Sequence, residues 1–124
     1  MVAIDSSTLI AYVQGDTGAD VNAFDLGLIG GEIVLPPVVL AEALSQPGLP
    51  NRHRGLVLGF ALLEILPDYW LRAGAMRATL VERGLRARLA DTLIAQSCLD
   101  HDVALITRDR DFRHFAKHCG LRLA

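Results

Sequence analysis

Cysteine is scarce in this chain, with two in 124 residues, Cys98 and Cys119. A small secreted scaffold held by disulfides would carry more, so the expectation is a reducing cytoplasm and two buried thiols. No apolar run reaches the ~18 residues that a membrane span needs. The start, Met1-Val2-Ala3-Ile4-Asp5, lacks the basic stretch that precedes the apolar core of a secretory signal. The expected setting is therefore cytoplasmic, with no membrane. Aromatic residues are only 6% of the chain, so its core must be aliphatic. Positive charge is missing from the whole first part. No Lys or Arg precedes Arg52, whereas Asp5, Asp16, Asp20, Asp25, Glu32 and Glu42 all do. All 12 basic residues, eleven of them arginine, lie from Arg52 onward. A net charge of −2 excludes a generic polyanion binder but leaves a local basic surface open to the second half.

The length fits a single domain over residues 1–124, large enough for a genuine core. Val2-Ala3-Ile4 reads as a short strand, and Asp5-Ser6-Ser7-Thr8 supplies N-cap residue types for a helix to about Val13. A helix over Val21–Ile29 ends at Gly30-Gly31, a turn rather than a phosphate loop because no G-K-S/T follows. Ile33-Val34-Leu35 is a second strand, stopped by Pro36-Pro37, which suits the start of a helix over Val38–Ser45. Arg54–Leu66 is apolar on nearly every face and predicts a buried or interface helix, with a short third strand beginning at Ile65-Leu66. Asp68 is placed to cap a helix over Tyr69–Arg83 that Gly84 terminates. Another helical pattern follows from Leu89, then the apolar run Val103–Ile106, a short helix over Phe112–His118 and an edge strand at Leu121–Leu123. Strands alternating with helices imply an α/β fold with a parallel sheet covered on both faces.

Five carboxylates stand out. Asp91 shares a helix face with Ile94, Ala95 and Cys98 at i+3, i+4 and i+7, so an acid lies on an apolar stripe. Such a group must find a partner or neutralise itself. Asp5 follows the first strand, where Ser6, Ser7 and Thr8 already offer capping groups. Glu42 follows Val38 and Val39 by four and three positions, on an apolar stripe near the top of the second strand. Asp109 and Asp111 follow the strand Val103–Ile106. Singly, these acids read as a cap, a solvated helical glutamate, a first-turn acid favouring the helix dipole and two turn residues. Jointly, Asp5, Glu42, Asp91 and Asp109 fall at strand ends or first helical turns, which converge on one edge of a parallel sheet. Two unit charges ~4 Å apart in a partly desolvated cleft repel by ~4 kcal/mol, so the cluster needs protons or a cation. With no His or Cys in the set, hard oxygen ligands select Mg²⁺ or Mn²⁺ over Zn²⁺. Phosphoryl transfer is the chemistry that uses such a site.

Asp5-Ser6-Ser7, Leu35-Pro36-Pro37-Val38-Val39-Leu40-Ala41-Glu42, Ala90-Asp91-Thr92-Leu93-Ile94-Ala95 and Thr107-Arg108-Asp109-Arg110-Asp111-Phe112 resemble the PIN-domain ribonucleases, and most nearly the VapC toxins of toxin–antitoxin pairs. Each motif alone is weak, but the four in order are specific. The resemblance implies a three-layer α/β/α fold with a mostly parallel sheet of four to five strands. It further implies a metal-dependent endoribonuclease acting on tRNA, rRNA or mRNA, usually homodimeric, leaving a 5′-phosphate and a 3′-hydroxyl. A cognate VapB antitoxin would inhibit it by placing its C-terminal tail in the cleft. Asp5, Glu42, Asp91 and Asp109 match the acidic quartet that is both catalytic and metal-binding. Asp111 matches an acid that some members use, and Ser7 and Thr107 match polar residues that orient the acids.

Arg83, Arg86, Arg88, Arg108 and Arg110 are candidate RNA phosphate contacts, weighed against solvated surface arginines. Tyr12, Tyr69 and Trp70 could stack on bases, although Trp70 in an amphipathic helix is more often core or interface. His53, His101, His114 and His118 show no ligand spacing and read as surface residues. A signalling receiver domain fails, because Gln46–Pro67 contains no acceptor Asp and the only lysine is Lys117, in a late helix. A catalytically silent PIN-like module that binds RNA or protein stays open as the alternative.

Overall fold

The computed structural model describes residues 1–124. Its elements are β1 (Val2–Ile4), α1 (Ser6–Val13), α2 (Ala19–Gly30), β2 (Ile33–Leu35), α3 (Pro37–Leu44), α4 (Asn51–Leu58), β3 (Ala61–Leu62), α5 (Tyr69–Glu82), α6 (Leu89–His101), β4 (Ala104–Ile106) and α7 (Phe112–Cys119). The four strands form one parallel sheet in the order β3-β2-β1-β4, flanked by seven helices in the α/β/α manner expected. Val2 and Ala3 pair with Ile33 and Val34 on one side, and Val2, Ala3 and Ile4 pair with Ala104, Leu105 and Ile106 on the other. The strands β1, β2 and β4 are short, apolar and almost wholly buried, as a sheet covered on both faces demands. Ala3, Ile4, Leu35 and Leu105 on the strands meet Leu9, Phe24, Val39, Leu80, Ile94, Phe112 and Phe115 from the helices in one core.

Punctuation in the sequence sets several boundaries. Pro36 leaves β2 in an extended conformation and Pro37 opens α3, where its missing N–H would have no helical partner in any case. Gly31 closes α2 at φ +65, the left-handed conformation that costs glycine least.

Several expectations are corrected. The apolar segment after Asn51 is not one helix to Leu66. The helix α4 ends at Leu58, Gly59 turns the chain, and Ala61-Leu62 pair with Val34 and Leu35 as the sheet's edge. The third strand therefore lies four residues before Ile65-Leu66. An apolar run without clear period fits helix or strand equally, and here sheet pairing decides. Of the two readings, buried or interface helix, the buried one fails for α4, since Val57 is its only buried residue and Leu58 is 55% exposed. Asp68 precedes α5 but adopts φ +60 and makes no side-chain cap bond. The final strand shrinks to a single parallel bridge between Leu105 and Leu123. Cys98 is buried as expected, whereas Cys119 is only half-buried; both are free thiols.

Candidate metal centre

The C-terminal ends of β1 and β4 lie side by side, and both chain segments leave the sheet there carrying acids. Asp5 follows β1 directly, and its backbone N–H donates to the Ile106 carbonyl at 3.0 Å, which ties the two strand ends together. Asp5 occupies the N-cap position of α1 without capping it. The hydroxyls that could have capped the helix are turned toward carboxylates instead. Ser7 Oγ donates to Asp5 Oδ2 at 2.6 Å, and Ser6 Oγ donates to Glu42 Oε1 at 2.6 Å. Thr8 Oγ1 donates to Asp20 Oδ2 at 2.8 Å. Thr107, at the exit of β4, adds a second 2.6 Å hydrogen bond to Asp5 Oδ2. Burial nevertheless pushes the Asp5 pKa up, and the charge of Asp109 adds to this against the pull of the two hydroxyls.

Asp91 is the least satisfied acid of the chain. It lies in the first turn of α6 and is buried, yet its Oδ2 has no hydrogen-bond partner. Burial first, and then the charges of Asp109, Asp5 and Glu42, push its pKa up to about 7, with Arg88 opposing them. All four members of the expected quartet therefore meet in one electrostatic neighbourhood.

The tightest grouping is a different subset. One carboxylate oxygen each from Asp91, Asp109 and Asp111 lie within 4.8 Å of one another. The loop after β4 folds back to make this possible: the Asp109 N–H donates to Thr107 Oγ1 at 3.0 Å, and the Asp111 N–H donates to Asp109 Oδ1 at 2.9 Å. Asp111 thus stands among the acids on the same footing as Asp109.

A family model for the PIN domain matches residues 2–118. The chain belongs to the PIN-domain family. No curated protein matches this PIN domain in sequence. Solved structures match it over nearly its full length. It is similar to VapBC2 from Rickettsia felis bound to a promoter DNA fragment, at 18% identity and a TM-score of 0.74, covering 100% of this chain and 98% of that one. It is similar to VapBC-5 from Mycobacterium tuberculosis at 22% identity and 0.64, covering 98% and 95%. FitAcB from Neisseria gonorrhoeae matches at 15% and 0.68, covering 99% and 96%.

The residues of this PIN domain fit a divalent cation. Asp91 has an orphaned, buried carboxylate oxygen and is grouped with two further carboxylates, and the ligand atoms of this group are all hard oxygens. Asp91, Asp109 and Asp111 are the residues spaced to hold such an ion, with Asp5 and Glu42 beside them.

The arginines divide. Arg86 Nε lies 3.5 Å from Asp111 Oδ2, and Arg88 adjoins Asp91 at the start of α6. Arg110 is exposed on the acid-bearing loop. Arg83 is turned to His118, donating to its Nδ1 at 2.8 Å, and Arg108 reaches away from the acids to α2. Trp70 is 65% exposed, edge-on to Tyr69, and is not core. The sequence does not single out Ser6 or Asp20. For Ser6 the trace was present, since Asp5-Ser6-Ser7-Thr8 holds more hydroxyls than one cap uses. Asp20 left none, because its partner lies 88 positions away.

Proposed function

We infer that this PIN domain is a Mg²⁺- or Mn²⁺-dependent endoribonuclease acting in the cytoplasm as a VapC-type toxin and restrained by a VapB-type antitoxin. The unpartnered Oδ2 of Asp91, buried against Asp109 and Asp111, carries this reading. A carboxylate oxygen left bare among like charges is costly unless a proton or a cation joins it. Family membership supports a nuclease, and similarity of fold to toxin–antitoxin complexes supports the antitoxin partner, with a homodimer as the expected assembly.

When bound, the cation supplies Lewis-acid activation of water and neutralises charge on the phosphodiester. The side chains do the positioning. Ser7 and Thr107 both donate to one oxygen of Asp5, which fixes the plane of its carboxylate. Ser6 holds Glu42 in the same way from the other side. Arg86 and Arg88, beside Asp111 and Asp91, supply positive charge at the cleft margin for RNA phosphates.

The test is incubation of the purified chain with tRNA, rRNA and mRNA in Mg²⁺ or Mn²⁺, with EDTA and Asp91→Asn protein as controls. Internal cleavage leaving 5′-phosphates, abolished by EDTA and by the substitution, is the expected result. Cleavage that survives either control overturns the reading, and RNA binding without cleavage leaves a silent binding module.

A further inference from the structure

The cluster poses a mechanical problem. Two of the three closest carboxylates, Asp109 and Asp111, ride on the loop leaving β4, and both face the charge of Asp91. Like charges push such a loop outward, so something must hold it in. We propose that Arg108 is a positioning residue that clamps this loop to α2, and through it sets cation affinity. The proposal rests on the acid cluster being the metal centre.

In the loop beyond β4, successive side chains part company. Thr107 and Asp109 turn toward the acids, and Arg108, between them, turns toward the start of α2. There its guanidinium grips Asp20 with two teeth, Nε to Oδ2 at 2.8 Å and Nη2 to Oδ1 at 3.0 Å. Nη2 also donates to the Thr17 carbonyl at 3.0 Å, and Asp16 lies 3.9 Å from Nη1. A bidentate fork of this kind fixes direction as well as distance. The anchor is itself immobile. Asp20 stands in the first turn of α2, its side chain is 11% exposed, and it also accepts from the fully buried Thr8.

Gly18 supplies an independent sign that the space is reserved for the clamp. At φ +151, a Cβ there would come within 2.6 Å of Asp20 Oδ1 and 3.0 Å of Arg108 Nη2. A side chain at position 18 would strain the backbone and crowd the ends of both partners, which would have to shift. By contrast, the ion pair of Arg122 with Asp102 has side chains 59% and 92% exposed and holds nothing near the acids.

The experiment is Mn²⁺ titration by calorimetry, without RNA, at a temperature where melting curves show every protein folded. Wild type is compared with Arg108→Ala, Asp20→Asn, the double variant, Gly18→Ala and Arg122→Ala. Clamping predicts about a tenfold loss of Mn²⁺ affinity in either single variant, the lower end of what removing a residue that orients ligands does. The double variant loses no more than either single one, because both remove the same link. Gly18→Ala weakens affinity with both charges intact, and Arg122→Ala leaves it unchanged. Lowered melting temperatures with unchanged affinity overturn the clamp. So does loss in Asp20→Asn with none, or a gain, in Arg108→Ala, which is the pattern of a direct charge effect on the cation. Absence of Mn²⁺ binding by wild type overturns the metal-centre reading itself, whereas equal binding by wild type and both single variants overturns the clamp alone.

Discussion

Replacing Asp91 with Asn removes a charge but keeps the shape, and in the metal-free protein this should stabilise the fold. The folded state raises the Asp91 pKa from 3.8 to about 7. A group whose folded pKa is raised holds its proton longer when folded, so its contribution is intact below about pH 4 and is lost as pH rises through about 7. At about 1.36 kcal/mol per pH unit, that interval corresponds to about 4 kcal/mol of destabilisation at pH 8. Solvent at the cleft mouth screens the acid–acid repulsion and reduces it to about 2 kcal/mol. For a domain of this length, about 4 °C of melting temperature per kcal/mol gives a variant melting about 8 °C above wild type. The advantage should be largest near pH 8 and vanish toward pH 4. Differential scanning calorimetry of EDTA-treated proteins across that range measures it. A variant that melts lower than wild type, or a difference independent of pH, would instead make Asp91 a structural, paired acid.

Saturating Mn²⁺ should do for wild type what the substitution does without metal: at a hundred times Kd, mass action adds about 2.7 kcal/mol, visible as a rise in Tm that Asp91→Asn does not show. Ser6→Ala strands Glu42 Oε1 without its 2.6 Å donor; we expect about 1 kcal/mol less stability in urea melts and a several-fold drop in RNA cleavage. Tyr69→Phe removes the bond to the Leu93 carbonyl and the one from Ser97, costing about 1–2 kcal/mol in the same melts, with Mn²⁺ affinity by calorimetry unchanged.

What could be read from the sequence was whatever local chemistry encodes. Ile33-Val34-Leu35 before Pro36-Pro37 is a strand with its own stop signal, and Asp91 on the Ile94–Ala95–Cys98 stripe announces a buried acid by periodicity alone. The segment from Asn51 to Leu66 resisted because its apolar residues lack a period, and the pairing partner that makes Ala61-Leu62 a strand lies nearly thirty residues away. Side-chain direction was equally out of reach. Arg108 adjoins Asp109 in sequence and so reads as an RNA contact, yet in the loop beyond β4 it turns to Asp20 on α2. Asp111 reads as an optional acid because its approach to Asp91 depends on how the loop turns after Thr107, which no spacing rule specifies.

The place of β1 in the middle of the sheet has a consequence for synthesis. Its first partner, β2, leaves the ribosome some thirty residues later, but its second, β4, begins only at Ala104. Asp5 emerges with β1 and then waits for Thr107, about a hundred residues downstream, to orient it. Asp109 and Asp111 arrive last of the acids. A nascent or prematurely terminated chain lacking β4 therefore carries no assembled cluster, whatever helices it has formed. A long-range pairing of this kind slows folding, and here the delay means that the acidic centre comes together only after β4 has been made.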